Sequence, residues 1–158
     1  MVDKLVRGVL ELSDDSKGSE FPEGSSRTSD QATTSVRRIH ETLKVELGVS
    51  MELDDRIEDA SFHAELNVLH PEPFHLAGGT VYAPEIAIRF SNFGKLYSIT
   101  SSMPELLARY PLEKIRALIE SHGWIYVPAD QLDEVYDGKN AALRNGFNTW
   151  WIRFFDYL

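Results

Sequence analysis

The sequence predicts an α+β fold: a mainly antiparallel sheet of about five strands with helices packed on one face. Three patterns carry that expectation. Val36, Ile39, His40, Leu43 and Leu47 fall at i, i+3, i+4, i+7 and i+11, a single helical stripe. Ala60, Phe62, Ala64, Leu66 and Val68 alternate with Ser61, His63, Glu65 and Asn67, the period-two pattern of a strand with one wet face. Ile86, Ile88 and Phe90, then Leu96 to Thr100, flank Ser91-Asn92-Phe93-Gly94-Lys95. Asn and Gly tolerate positive φ, so this stretch reads as a short-loop β-hairpin.

The remaining elements follow in chain order. Val2, Leu5, Val6, Val9 and Leu10 have helical spacing, but Gly8 weakens it and an edge strand fits equally. Residues 13–35 are rich in Ser, Gly and acid and read as a linker, with Asp30 as the cap of the helix that follows and Gly48 as its stop. Residues 1–35 are therefore expected to form an N-terminal segment and polar linker, and residues 36–158 a single α+β globular domain. His70-Pro71-Glu72-Pro73 ends the alternating strand, and a loop runs through Gly78-Gly79. Ser102-x-x-Glu105 with Pro104 reads as a capping box. Pro111 kinks that helix or begins another, with Ile115, Leu118 and Ile119 inward and Gly123 closing it. Trp124 to Val127 reads as a short buried strand, and Pro128 to Gly138 as a helix with Leu132 and Val135 inward. Asn145-Gly146 marks a turn. Trp150 to Leu158 is dense in aromatics, and that composition selects a strand over the competing helical stripe of Trp151, Phe154, Phe155 and Leu158.

Composition narrows function by exclusion. The chain has 158 residues, 25 acidic against 16 basic, and no Cys. Without thiols there is no disulfide, cysteine nucleophile or CxxC metal site. A net charge of −9 argues against a nucleic-acid surface, which would concentrate Lys and Arg. No secretory leader pattern and no membrane-length apolar run occurs, so the expectation is a cytoplasmic protein without a membrane partner. The charge is uneven. Residues 46–72 hold Glu46, Glu52, Asp54, Asp55, Glu58, Asp59, Glu65 and Glu72 against Arg56 alone.

Known catalytic motifs are missing: no GxGxxG, no GxxxxGK[ST], no G-x-S-x-G and no HExxH. His63, Glu65 and His70, with His75 and Glu72 nearby, are the residue types that hold zinc or non-haem iron, and they define a small metal-dependent enzyme as one alternative. Asp54-Asp55 and Glu58-Asp59 lack the glycine and spacing of an EF-hand loop. Arg89, Lys95, Phe93, Tyr97 and Arg153 mix basic and aromatic character, but without a positive surplus they point to packing and cation–π contacts. The leading expectation is a non-enzymatic, cofactor-free binding or inhibitor protein of the bacterial immunity type, masking a basic, nuclease-like toxin. Its partner-binding residues would be Glu52, Asp54, Asp55, Glu58, Asp59 and Glu65. A structural or accessory interaction domain is the third alternative.

Overall fold

The computed structural model describes residues 3–14, 26–57, 60–144 and 148–156, with the backbone alone for 26–29 and 142. In chain order, α1 spans Lys4–Ser13 and α2 Ser26–Leu47. Strands β1 (Met51–Asp54), β2 (Phe62–Leu69), β3 (Phe74–Leu76), β4 (Gly79–Val81), β5 (Pro84–Ser91) and β6 (Leu96–Thr100) follow. The described chain ends with α3 (Pro104–Leu107), α4 (Leu112–Ser121), β7 (Ile125–Tyr126), a 3-10 turn at Ala129–Gln131, α5 (Ala141–Arg144) and α6 (Trp150–Phe155).

The main sheet has the order β1-β2-β5-β6-β7. The first three pairings are antiparallel, and β6 with β7 is parallel. This is the expected α+β architecture. The inward residues of the alternating strand, Ala64, Leu66 and Val68, are fully buried with Ile86, Ile88 and Phe90 of β5. Val36, Ile39 and Leu43 of α2 and Ile115 and Ile119 of α4 close that face. Gly48 ends α2 at φ 61, with its N–H on Lys44 O at 3.1 Å, the left-handed stop the sequence indicates.

A second apolar cluster joins Leu10 of α1 to Phe93, Leu96, Val127, Leu132, Tyr136, Trp150, Phe154 and Phe155. Here the structure corrects the expected C-terminal strand: residues 150–155 are helical. Thr149 caps the helix, its Oγ1 accepting from Ile152 N at 3.4 Å. Trp150 and Phe154, four residues apart, stack at 6.0 Å. The aromatic density signals burial in either conformation, and the i, i+4 stack plus the cap select the helix. Ser61 fastens its end, its N–H donating to Asp156 O at 2.8 Å and its Oγ accepting from Asp156 N at 2.9 Å.

Other local expectations are redrawn by tertiary contacts. Residues 4–13 form a helix, capped by Asp3, which accepts from Leu5 N at 2.8 Å. Asp30 does not cap α2, because the helix begins at Ser26 and the expected boundary at 35/36 falls inside it. Ser35 accepts from Trp124 Nε1 at 3.2 Å, a contact that outweighs the weak helix propensity of this polar stretch. Ser102 is no cap either. Met103 occupies the N-cap of α3 without a side-chain bond, and Ser101 Oγ accepts from Met103 N at 3.1 Å. The expected helix from Pro128 to Gly138 is only the 3-10 turn. Leu132 is buried, but Val135 is exposed and bridges Thr149. The acids Asp133, Glu134 and Asp137 would crowd the negative end of a longer helix. Residues 74–81, expected as loop, pair as a two-stranded hairpin apart from the main sheet. The Asn145-Gly146 turn and residues 157–158 lie outside the described residues.

Candidate functional site

Cross-strand register positions the acidic residues. Asp54 faces Glu65, Glu65 faces Arg89 and Arg89 faces Ser98, while Glu52, Asn67, Ala87 and Thr100 form the neighbouring row. Directly opposed residues share one side of a sheet. Both rows therefore lie on the side opposite Leu66 and Ile88, away from α2 and α4.

The proposed patch divides on this surface. Glu52 and Asp54 are exposed on β1, the outermost strand. Asp54 Oδ1 also accepts from the backbone of Arg56 at 3.1 Å. Asp55 is half-buried and ion-paired with Arg37 Nε at 2.6 Å. Glu65 is half-buried between Arg89 Nε at 2.5 Å and Asn67 Nδ2 at 2.9 Å. Glu58 and Asp59 lie outside the described residues. Of the four described members, two are solvent-facing charges and two are structural pairs.

Arg89 explains why Glu65 is occupied. Its guanidinium lies 4.6 Å from the Phe62 ring centre and 5.5 Å from that of Trp151, and Nη1 donates to Phe155 O at 2.8 Å. It ties α6 to the polar side of the sheet. The basic and aromatic mixture singled out in the sequence is thus packing, with Arg153 4.0 Å from the Phe93 ring centre as its second instance.

The histidines do not converge. A register shift between Phe62 and Ala64 turns His63 onto Trp124, with ring centres 5.7 Å apart. Its Nδ1 lies 3.2 Å from Ser91 O, Nε2 has no hydrogen-bond partner among the described residues, and burial pushes its pKa down. His70 lies at the other end of β2, seven residues on, or roughly 20 Å along a strand. His75 is exposed on β3, its Nδ1 3.4 Å from Thr80 Oγ1. Glu65 is held by Arg89 between them. No group of three or more His, Asp or Glu that could hold a metal ion occurs among the described residues.

Two polar clusters were not anticipated from sequence. At the start of β5, the Glu85 carboxylate is buried. Tyr110 Oη donates to Oε2, and His70 Nε2 and Arg109 Nη1 each lie 3.5 Å from Oε1. Burial and this carboxylate push the Tyr110 hydroxyl up to about 12. The Pro84-Glu85 pair at a strand start gave no hint of it. The second cluster centres on Asp14. Its Oδ1 accepts from Arg153 Nε at 2.8 Å, and Oδ2 from Tyr136 Oη at 2.7 Å and Lys139 N at 2.6 Å. The Tyr136 hydroxyl is likewise pushed up to about 12, chiefly by burial and then by that carboxylate. The Asp14 cluster is an internally matched set of donors and acceptors that holds elements together, whereas Glu85 Oε1 has only the two ion-pair contacts and no hydrogen bond among the described residues.

A shallow depression of about 360 Å³ lies along α2, lined by Asp30, Gln31, Thr34, Ser35, Arg38 and His122. All six of these residues are polar or charged, and none is the large apolar or aromatic side chain that usually encloses a small ligand. No described helix is long and apolar enough to cross a membrane. No protein-family model, curated protein or solved structure matches the chain.

Proposed function

We propose that the chain is a non-enzymatic, stoichiometric binding protein of the bacterial immunity type, presenting an acidic edge strand to a basic, nuclease-like partner. The observation that carries this reading is the joint exposure of Glu52 and Asp54 on β1. Residues two apart on a strand point the same way, so their charges reinforce one another. Arg89 and Arg37 are engaged by Glu65 and Asp55, which leaves Arg56, exposed two residues beyond Asp54, as the single cation in a window of eight acids. On a chain of net charge −9, such a strand attracts a basic surface over distances of a Debye length and speeds encounter.

The test is a titration of purified basic nucleases with this chain, read as loss of nucleic-acid cleavage at low and high salt. The expected result is 1:1 inhibition whose association rate falls with salt. Glu52→Lys together with Asp54→Lys should weaken it more than about tenfold. Affinity indifferent to both salt and charge reversal removes the reading. A second reading, an accessory interaction domain, is favoured by the exposed apolar hairpin of β3 and β4.

A further inference from the structure

We propose that the depression along α2 is a binding site for a small zwitterion, a phosphate monoester that also carries an amine. The inference is independent of the inhibitor reading and uses none of the carboxylates assigned to the partner-binding strand. Helical spacing builds the site. Gln31, Thr34, Ser35 and Arg38 fall at i, i+3, i+4 and i+7 of α2 and so share one side of it. The end of α4 contributes its C-cap residue, His122. With Asp30 these residues line a space of about 360 Å³, at the small end of the range for small-molecule sites.

Donors without protein acceptors converge there. Arg7, Arg37, Arg89, Arg109, Arg116 and Arg153 are each ion-paired with a carboxylate. Arg38 is exposed, and its guanidinium meets no carboxylate among the described residues, in a chain with 25 acids against 16 bases. Ser35 is oriented from beneath, its Oγ accepting at 3.2 Å from Nε1 of Trp124, which is only 3% exposed. That bond leaves the Ser35 hydroxyl proton to donate. Thr42 donates its hydroxyl back to Arg38 O at 2.9 Å, whereas Thr34 and Ser35 have no such acceptor among the described residues. Water satisfies such groups one at a time. An oxyanion satisfies guanidinium, hydroxyls and amide together, and the planar guanidinium fork matches a phosphate through two parallel bonds.

Asp30 sets the chemistry of the other end. It stands eight residues before Arg38, roughly 12 Å along the helix axis. Long helical side chains lean back toward the N-terminus, so the Arg38 guanidinium closes part of that distance. A carboxylate facing the same depression repels a second negative charge and attracts an amine. The pair therefore selects a ligand with one anionic and one cationic end over a polyanion. The polar lining agrees with recognition through charge and hydrogen bonds rather than apolar burial, for an expected Kd of about 1 mM.

Amide-resolved NMR of the full chain tests the proposal, with O-phosphoethanolamine titrated to about 20 mM at fixed ionic strength and inorganic phosphate as the comparison. The amides of Thr34, Ser35 and Arg38 should shift together and saturate. So should the Trp124 indole N–H, because Ser35 Oγ is its acceptor. Arg38→Gln should weaken both ligands at least about tenfold, and Thr34→Val should weaken them by a smaller factor. Asp30→Asn should weaken O-phosphoethanolamine while leaving inorganic phosphate as tight or tighter. All three variants alter polar side chains outside the core and should keep the far-UV spectrum. Shifts that grow without saturating overturn the proposal, as do saturating shifts that Arg38→Gln leaves unchanged. Equal affinity of the parent for the two ligands overturns the zwitterionic assignment.

Discussion

Arg153 and Asp14 form a fully buried ion pair: Nε donates to Oδ1 at 2.8 Å, and the two side chains are 2% and 0% exposed. The pair joins the residue that follows α1 to the middle of α6, 139 positions apart. Tyr136 Oη and Lys139 N complete the carboxylate, and Lys139 Nζ donates to Glu11 O at 2.8 Å. Removing one charge strands the other in the interior. Asp14→Ala should therefore lower the unfolding free energy by about 3–5 kcal/mol. Replacing both charges, as Asp14→Leu with Arg153→Met, should recover much of that loss. Urea unfolding of the parent, two single variants and the double variant gives the coupling energy directly.

Gly138 tests the same cluster by sterics alone. A Cβ there would run into Asp14 Oδ2 and come within 2.6 Å of two ring carbons of Tyr136. Both groups are fixed by the ion-pair network and cannot easily withdraw. Gly138→Ala should destabilise by about 1–3 kcal/mol, the usual scale of overpacking. The loss should shrink when Asp14 has already been replaced, which thermal unfolding of the double variant would show.

How much of this was legible in the sequence depended on where the signal lay. The α2 stripe, the alternation from Ala60 to Val68 and the turn at Asn92 to Gly94 are local patterns, and each gave its element. Strand and helix both bury a run such as Trp150 to Phe155, so the aromatics indicated burial without fixing conformation. Pro71, Pro73 and Gly78-Gly79 looked like loop because proline and glycine punctuate both loops and tight hairpins. The sequence placed no strand at residues 51–54, so Glu52, Asp54 and Glu65 were alike only as members of one acidic stretch. Their fates diverge because register places Glu65, and not Glu52, opposite Arg89. The Asp14–Arg153 pair had no local signal at all, since its members meet only when the two ends of the chain do.

His63 should make stability depend on pH. Burial against Trp124 pushes its pKa below 6.5 in the folded state, and the contact to Ser91 O only partly opposes this. Between the folded and unfolded values the unfolded chain binds the extra proton. Stability is therefore highest when the ring is neutral and is lost as pH falls through 6.5 toward the folded value. His63→Phe keeps a ring against Trp124 and removes the titrating group. Melting temperatures from pH 7.5 to 5 should fall less for that variant than for the parent. Equal slopes would exclude His63 as the cause.

Arg89 separates the structural carboxylates of the acidic strands from the solvent-facing ones. It bonds Glu65, lies beside the rings of Phe62 and Trp151, and donates to the last carbonyl of α6. Arg89→Met would leave Glu65 half-buried beside Asn67 and strip Phe155 O of that donor, for an expected loss of about 2–4 kcal/mol. Glu65→Lys would set two cations together at the same point and should cost a similar amount. Glu52→Lys touches an exposed side chain and should shift stability by no more than about 0.5 kcal/mol, and Asp54→Lys, which also loses the bond from Arg56 N, by no more than about 1 kcal/mol. Chemical denaturation of these four single variants assigns the roles. Should Glu65→Lys prove neutral while Glu52→Lys unfolds the chain, the division of the acidic strand face drawn from register would be reversed. With the expected order, any binding lost in the Glu52 and Asp54 variants belongs to the interface, because the fold beneath it is unchanged.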